Sequence, residues 1–327
     1  MIKRVPVLLF VCLLLLTCTG KPAAISAQDI QYIHEIEEFQ EIKYAIIPEA
    51  PRPGEPITVA LNKEAKEVLL LVNNKQVSKA GVFFVPAERN KPGFYAAIIT
   101  VGCTIDAKQA VIRINNKSGM LCEIPIDISP REFRSETLAL NPALTRLVSE
   151  PDPIKEAESN RLWQILITTG DHVYHYGNFV LPVTSTRRTS QYGTRRINQY
   201  SDGRKVTSIH AGVDFGIPTG TEVRSCGTGK VILSRMRVLT GNSIIIEHAP
   251  GVYSIYYHLD SVIAKEGTIV GTGAIIGLSG STGFSTGPHL HWELRVSTEN
   301  TDPDAFVDRP LIDKDLIISK IFNIKKQ

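Results

Sequence analysis

From His289 to Val296 polar and apolar residues alternate without a break. His289, His291, Glu293 and Arg295 fall on one side, Leu290, Trp292, Leu294 and Val296 on the other. A period of two is that of a β-strand with one face on a core. The apolar face holds the strand still, and both histidines then project into one cleft. Their Cα atoms lie roughly 6.6 Å apart at a rise of ~3.3 Å per residue. One can bind a metal while its neighbour stands beside the open coordination position.

Two further segments carry the same chemistry. His210 opens HAGVDFG, with Asp214 four residues on, and His258 lies in YSIYYHLD on the strand face shared by Ser254 and Tyr256. Fully extended, His210 and Asp214 would stand roughly 13 Å apart, too far to share one ion. A bend is required, and Gly212 has the backbone freedom for it and leaves space where a metal would sit. Either pair alone is also what a solvated strand face looks like. The surrounding sequence decides between these readings.

GSTGFSTGPHLHWEL, HAGVDFGIPTGTEV and YYHLD occur together with glycine-punctuated β segments between them. The combination resembles the lysostaphin-type (LytM-domain) zinc metallopeptidases, which cut peptide bonds in bacterial peptidoglycan, and it spans about Phe179 to Asp304. The resemblance implies an antiparallel, glycine-rich, barrel-sandwich-like β domain holding one Zn2+ through His210, Asp214 and His291. It makes His289 and His258 the catalytic histidines. No HExxH glutamate is present, so a histidine must carry the proton. His289 is read as that base, and His258 as the group that orients or stabilises the oxyanion as a donor. All five positions are filled, which favours an active endopeptidase over relatives that have lost ligands and only bind the wall or activate amidases. In TSQYGTRR, Arg195 is the residue expected to line the cleft. TGTEVRSCGTGKVI and GTIVGTGAIIGLSG also look like a lipoyl-type carrier barrel, but Lys230 lacks the methionine-flanked hairpin tip of such a carrier.

The remainder bounds the setting. Lys3 and Arg4 precede an apolar run from Val5 to Leu16, the pattern of an export signal and short for a membrane span. Leu15-Leu16-Thr17-Cys18 is a loose lipobox, so Cys18 is a candidate lipidated terminus and membrane anchor; otherwise cleavage follows Ala24 or Ala27. Either route places the chain in the periplasm or cell envelope. At 327 residues and 43% apolar content the chain can bury two cores of ordinary size, and its net charge is only +3. No basic stripe with interleaved aromatics argues for a nucleic-acid partner. Among five cysteines, Cys103 and Cys122 could pair, Cys226 reads as inert core, and no CxxC pair suggests a cysteine-ligated zinc.

The half after the leader reads as all-β, with strands over Ile57–Leu61, Glu67–Val72, Val82–Val85, Phe94–Val101, Gln109–Ile114 and Met120–Ile128. Short strands at this spacing suggest an immunoglobulin-like sandwich. One linking helix follows, capped by Asp152, opened by Pro153 and stopped by Gly170, with Ile154, Ala157, Leu162, Ile165 and Leu166 near one face. The chain is thus expected to be mainly β. It divides into an export signal (1–27), an immunoglobulin-like domain (28–130), a linker (131–175) with its helix at 153–169, a zinc peptidase domain (176–310) and a tail (311–327). The tail is either a short amphipathic helix or a frayed end. His34, His172, His175 and His248 have no partner constellation and are read as structural.

Overall fold

The computed structural model describes residues 42–88 and 91–324. The leader, with Cys18, and His34 lie outside the described residues. Strands form at or within a residue or so of every stretch read above: Pro56–Leu61, Glu67–Val72, Phe83–Val85, Phe94–Thr100, Gln109–Asn115 and Met120–Asp127. Two more, Tyr44–Ile47 and Lys75–Gly81, complete a pair of four-stranded antiparallel sheets. One runs Tyr44–Ile47, Pro56–Leu61, Phe94–Thr100, Phe83–Val85; the other runs Lys75–Gly81, Glu67–Val72, Gln109–Asn115, Met120–Asp127. Asn73 and Asn74, both at positive φ (50° and 59°), close the hairpin between Val72 and Lys75. A two-residue turn of that hand matches the strand twist, and asparagine tolerates it best after glycine. Cys103 and Cys122 are both free thiols.

Pro56–Leu61 is buried on both faces. Across its outer side runs a row of paired small residues, Ala45, Ala60 and Ala96. Their small side chains let the tail approach: helix Lys314–Phe322 lies against Tyr44–Ile47 and Pro56–Leu61, with Ile317, Ile318 and Ile321 buried in the same cluster. Burying three isoleucines contributes roughly 1.5–3 kcal/mol each. The tail is therefore a helix, capped by Asp313 and ended by Asn323 at φ 56°, and it clamps the two halves into one unit, Lys43–Gln327.

The C-terminal half is built on a ten-stranded sheet whose pairings are all antiparallel. Its centre runs Val213–Phe215, Leu290–Val296, Val252–Val262, Gly241–Ala249. Leu290, Trp292, Leu294 and Val296 are fully buried, as their alternation requires. Lys230 lies within strand Gly229–Arg237 and not at a hairpin tip. The connecting region holds more than one helix. Pro142–Ser149 precedes Pro153–Ile167, which Asp152 caps through Ile154 N as expected but which ends before Gly170. Ile165 and Leu166 dock on Leu233, Ile245 and Tyr253, whereas Ile154 is 60% exposed. Upstream, Ser135–Ala139 pairs in parallel with Arg195–Gln199, an element not read from the sequence.

Candidate metal centre and active site

Asp214 and His291 are direct cross-strand partners on adjacent strands, so their side chains leave the same face of the sheet. His210 arrives from before the bend at Gly212. A Cβ at Gly212 would come within 2.2 Å of the Trp292 carbonyl oxygen. Glycine is needed there because another strand's backbone fills the space, a correction to the expectation that a metal would. The bend brings His210 Nε2 to 3.1 Å from Asp214 Oδ1 and 3.0 Å from His291 Nδ1, and His291 Nδ1 lies 2.7 Å from the same carboxylate oxygen. All three residues are buried.

The far side of each group fixes which atom faces inward. His210 Nδ1 lies 2.8 Å from the Gln191 carbonyl oxygen, which turns Nε2 toward the centre. His291 Nε2 donates to Glu293 Oε1 at 3.0 Å, which directs Nδ1 to the centre. Arg295 in turn holds Glu293 Oε2 at 2.9 Å. Asp214 Oδ2 accepts from Arg196 Nη2 at 2.7 Å, leaving Oδ1 for the centre. Burial alone would raise the Asp214 pKa, but hydrogen bonds from His210 and His291 hold it well below the carboxylate range. Burial likewise opposes ionisation of Glu293, and Arg295 and His291 outweigh it, bringing its pKa to about 2. Burial would lower the His291 pKa, but the carboxylates of Asp214 and Glu293 overcome it and lift it to about 9. Two imidazole nitrogens and one carboxylate oxygen, each with its other side occupied, thus converge at 2.7–3.1 Å. A tetrahedral zinc with bonds of ~2.0–2.1 Å spaces its ligand atoms by about 3.3 Å, so the donor set fits that ion after small adjustments.

The two remaining histidines stand beside this cluster. His289 precedes strand Leu290–Val296, pairs with Gly280 as an isolated bridge and gives Nδ1–H to the Gly287 carbonyl oxygen at 2.8 Å. Its Nε2 is 3.8 Å from Asp214 Oδ1. His258 gives Nδ1–H to the Thr282 carbonyl oxygen at 2.8 Å, and its ring is 4.8 Å from that of His289. Chiefly burial, with His289 and His291 adding to it, pushes the His258 pKa down to about 3.

His258 does not share a face with Ser254 and Tyr256. Where Asn242 pairs with Leu259 and Ile244 with Tyr256, two residues, Tyr257 and His258, oppose the single Ser243. This bulge puts His258 at φ 61°. The shift of one residue swings its ring toward His289 and His291, while Ser254 and Tyr256 stay on the core side near Cys226 and His248. Tyr257 stacks on His291 at 5.6 Å and 7°.

An open cleft of about 360 Å³ leads to the cluster, lined by Glu136, Leu138, Arg187, Phe284, Gly287 and His289 among others. Arg195 does not line it. Its guanidinium lies over Phe133 and donates to the Cys103 carbonyl oxygen at 2.7 Å, and the neighbouring Arg196 reaches the centre instead. Glu293 stood on the histidine face in the sequence pattern, but its bond to His291 could not be read there. Glu136 had no sequence signal.

Comparison with known proteins finds likeness in the C-terminal half. Residues 208–303 match the profile described as peptidase family M23. The DD-carboxypeptidase/endopeptidase Mpg of Neisseria meningitidis serogroup B is 38% identical over 122 residues, 37% of this chain and 27% of that protein. The peptidoglycan DD-endopeptidase ShyA of Vibrio cholerae is 40% identical over 116 residues, 35% of this chain and 26% of that protein. The match thus spans about a quarter of the length of these relatives. A solved M23-type peptidase structure from Pseudomonas aeruginosa superposes with a TM-score of 0.57 at 21% identity, covering 79% of this chain and 94% of that one, a likeness of fold.

Proposed function

We propose that this chain, which carries an M23 (LytM-type) peptidase domain, is an exported zinc metalloendopeptidase that hydrolyses peptide bonds in bacterial peptidoglycan, at stem-peptide cross-links or bridges. The observation that carries the reading is the convergence of three inward-facing donor atoms beside two further histidines whose Nε2 atoms are bare, at the foot of an open cleft. His210, Asp214 and His291 would hold one zinc ion. When bound, it would polarise the scissile carbonyl and acidify a water.

The chain's own groups supply the rest. His289 lines the cleft, and its Nε2 accepts the water's proton and later returns it to the leaving amine. His258 is given a different part from the oxyanion donor expected of it. Its Nδ1–H is committed to Thr282 and burial keeps the ring neutral, so Nε2 accepts a second proton contact and aims the water. Glu293 and Arg295 keep His291 turned correctly.

The domain reading goes with this function. The leader directs export to the periplasm or envelope, with Cys18 as a candidate lipid anchor, and no described helix is long and apolar enough to cross a membrane. The first two sheets, from Tyr44 to Asp127, form an immunoglobulin-like module, the described part of the domain expected at 28–130. Numbered in chain order from Tyr44–Ile47 to Met120–Asp127, their strands run 1-2-6-5 and 4-3-7-8, which supports this, being the orders of an A-B-E-D sheet facing C′-C-F-G. A linker (131–175), the catalytic domain (176–310) and the tail helix follow.

Zinc content and clearing of purified sacculi test the reading. The wild type should hold zinc and clear; His291→Ala should lose both, with turnover down at least about 10³-fold. His289→Ala should keep zinc and lose most turnover. A zinc-loaded wild type that leaves sacculi and defined muropeptides uncut would overturn the proposal, and mass analysis of products identifies the bond.

A further inference from the structure

The cluster is tied to a strand far from it in sequence. Glu136 lies on Ser135–Ala139, upstream of the segment matched by the M23 profile, and is the direct parallel-sheet partner of Arg196. Five consecutive backbone pairs fix that register. Glu136 Oε1 accepts from Arg196 Nε at 2.6 Å and from Ser190 Oγ at 3.0 Å. Arg196 Nη2 donates to Asp214 Oδ2 at 2.7 Å. Ser190 Oγ lies 3.2 Å from His210 Nδ1, and His210 Nε2 faces Asp214 Oδ1. These contacts close a ring: Asp214, Arg196, Glu136, Ser190, His210 and back to Asp214.

We propose that Glu136, acting through Arg196, is a positioning residue of the metal site, so that the strand before the peptidase domain is a working part of the centre. This rests on the zinc reading above. Arg196 spans two carboxylates with one rigid edge of its guanidinium, which pins Asp214 with Oδ2 outward and Oδ1 inward. A lone guanidinium so near the ligand set would repel a dication. Glu136 offsets that charge, and the side-chain exposures of 19% for Arg196 and 9% for Asp214 leave the interaction less screened than at a free surface. Glu136 also takes the Ser190 hydroxyl hydrogen, so that Ser190 Oγ stands at 3.2 Å beside His210 Nδ1 as a second acceptor next to the Gln191 carbonyl oxygen. One carboxylate therefore steadies two of the three ligands.

The test is zinc affinity, measured by competition with a chromophoric chelator, for the full chain and for Glu136→Gln, Glu136→Asp and Arg196→Met. Glu136→Gln should bind zinc about 10–100-fold more weakly, the range typical of removing a partner of a metal ligand. Glu136→Asp should recover part of the loss. Glu136→Gln added to Arg196→Met should cost clearly less than Glu136→Gln alone costs in the wild type, because the route through the arginine is already gone and only the Ser190 contact is left to lose. The melting temperature of the metal-free protein should stay at the wild-type value. If the wild type binds zinc tightly and Glu136→Gln binds within about twofold of it, the proposal fails and the zinc reading stands. Lowered melting of metal-free Glu136→Gln would assign the residue to the fold and overturn the proposal as well. A wild type that binds no zinc would instead sink the functional reading.

Discussion

Two histidines on neighbouring strands share almost everything except what is left over. His248 and His258 are both buried, and burial pushes the pKa of each down to about 3. Both sit where the pairing of Gly241–Ala249 with Val252–Val262 slips register, and both give Nδ1–H to a backbone carbonyl oxygen, Thr228 for one and Thr282 for the other. They part at the other nitrogen. His248 Nε2 is 2.7 Å from Ser254 Oγ, which lies 3.0 Å from the Tyr256 hydroxyl, so its ring is spent on the core. His258 Nε2 has no hydrogen-bond partner among the described residues and stands beside His289 and His291. Burial and a depressed pKa mark both alike. The unused nitrogen separates the residue proposed to handle protons from the structural one.

Truncation breaks or sharpens the contrast most strongly. His258→Ala should lower kcat by about 10²–10⁴, the usual range for a positioned proton-handling group, with a smaller loss of unfolding free energy than at position 248 because it orphans only the Thr282 carbonyl. His248→Ala should behave in reverse: kcat per folded molecule unchanged, unfolding free energy down by roughly 3 kcal/mol from a cavity and orphaned polar partners. Equal effects on rate and stability in both variants would dissolve the distinction.

What could be read in advance follows the same division. Strands with apolar runs were legible in the first half, whereas Lys75–Gly81 was not, because an edge strand carrying Lys75 and Lys79 resembles a loop. Alternation placed His291 and Glu293 on one face, and the structure bonds them. The same alternation misplaced His258, since YSIYYHLD contains nothing that announces an extra residue between partners. Glu136 and Arg196 were beyond reach for another reason. Their meeting depends on parallel pairing between segments distant in sequence, which no local period encodes. Tertiary pairing, not composition, assembles the outer part of the centre.

Acid should expose the structural member of the pair next. Between pH ~6.5 and ~3 the unfolded chain protonates position 248 and the folded chain does not, so the unfolded state binds more protons. Stability is fully present above ~6.5 and falls as pH drops. At about 1.4 kcal/mol per pH unit, the wild type should lose about 2 kcal/mol from this residue between pH 7 and pH 5. His248→Gln keeps much of the shape without the titration, and its stability should fall less over that interval by the same amount. Parallel curves from urea unfolding at the two pH values would remove His248 as a source of acid lability.

The smallest effect tests the backbone beneath the contrast. His258 holds φ 61°, in the left-handed region, while His248 is not among the residues of positive φ. An alanine at a left-handed position carries a strain of about 1–2 kcal/mol that glycine escapes, but in an ordinary strand glycine is worse than alanine by about 0.5–1 kcal/mol. His258→Gly should therefore be more stable than His258→Ala by about 1 kcal/mol, and His248→Gly less stable than His248→Ala by a comparable amount. Neither substitution restores an imidazole, so both variants at position 258 should stay equally slow. The sign reversal, read by urea denaturation of four variants, isolates conformation from side-chain chemistry. If glycine and alanine rank in the same order at both positions, the bulge that turns His258 toward His291 is not held in the left-handed conformation, and its placement beside His289 needs another cause.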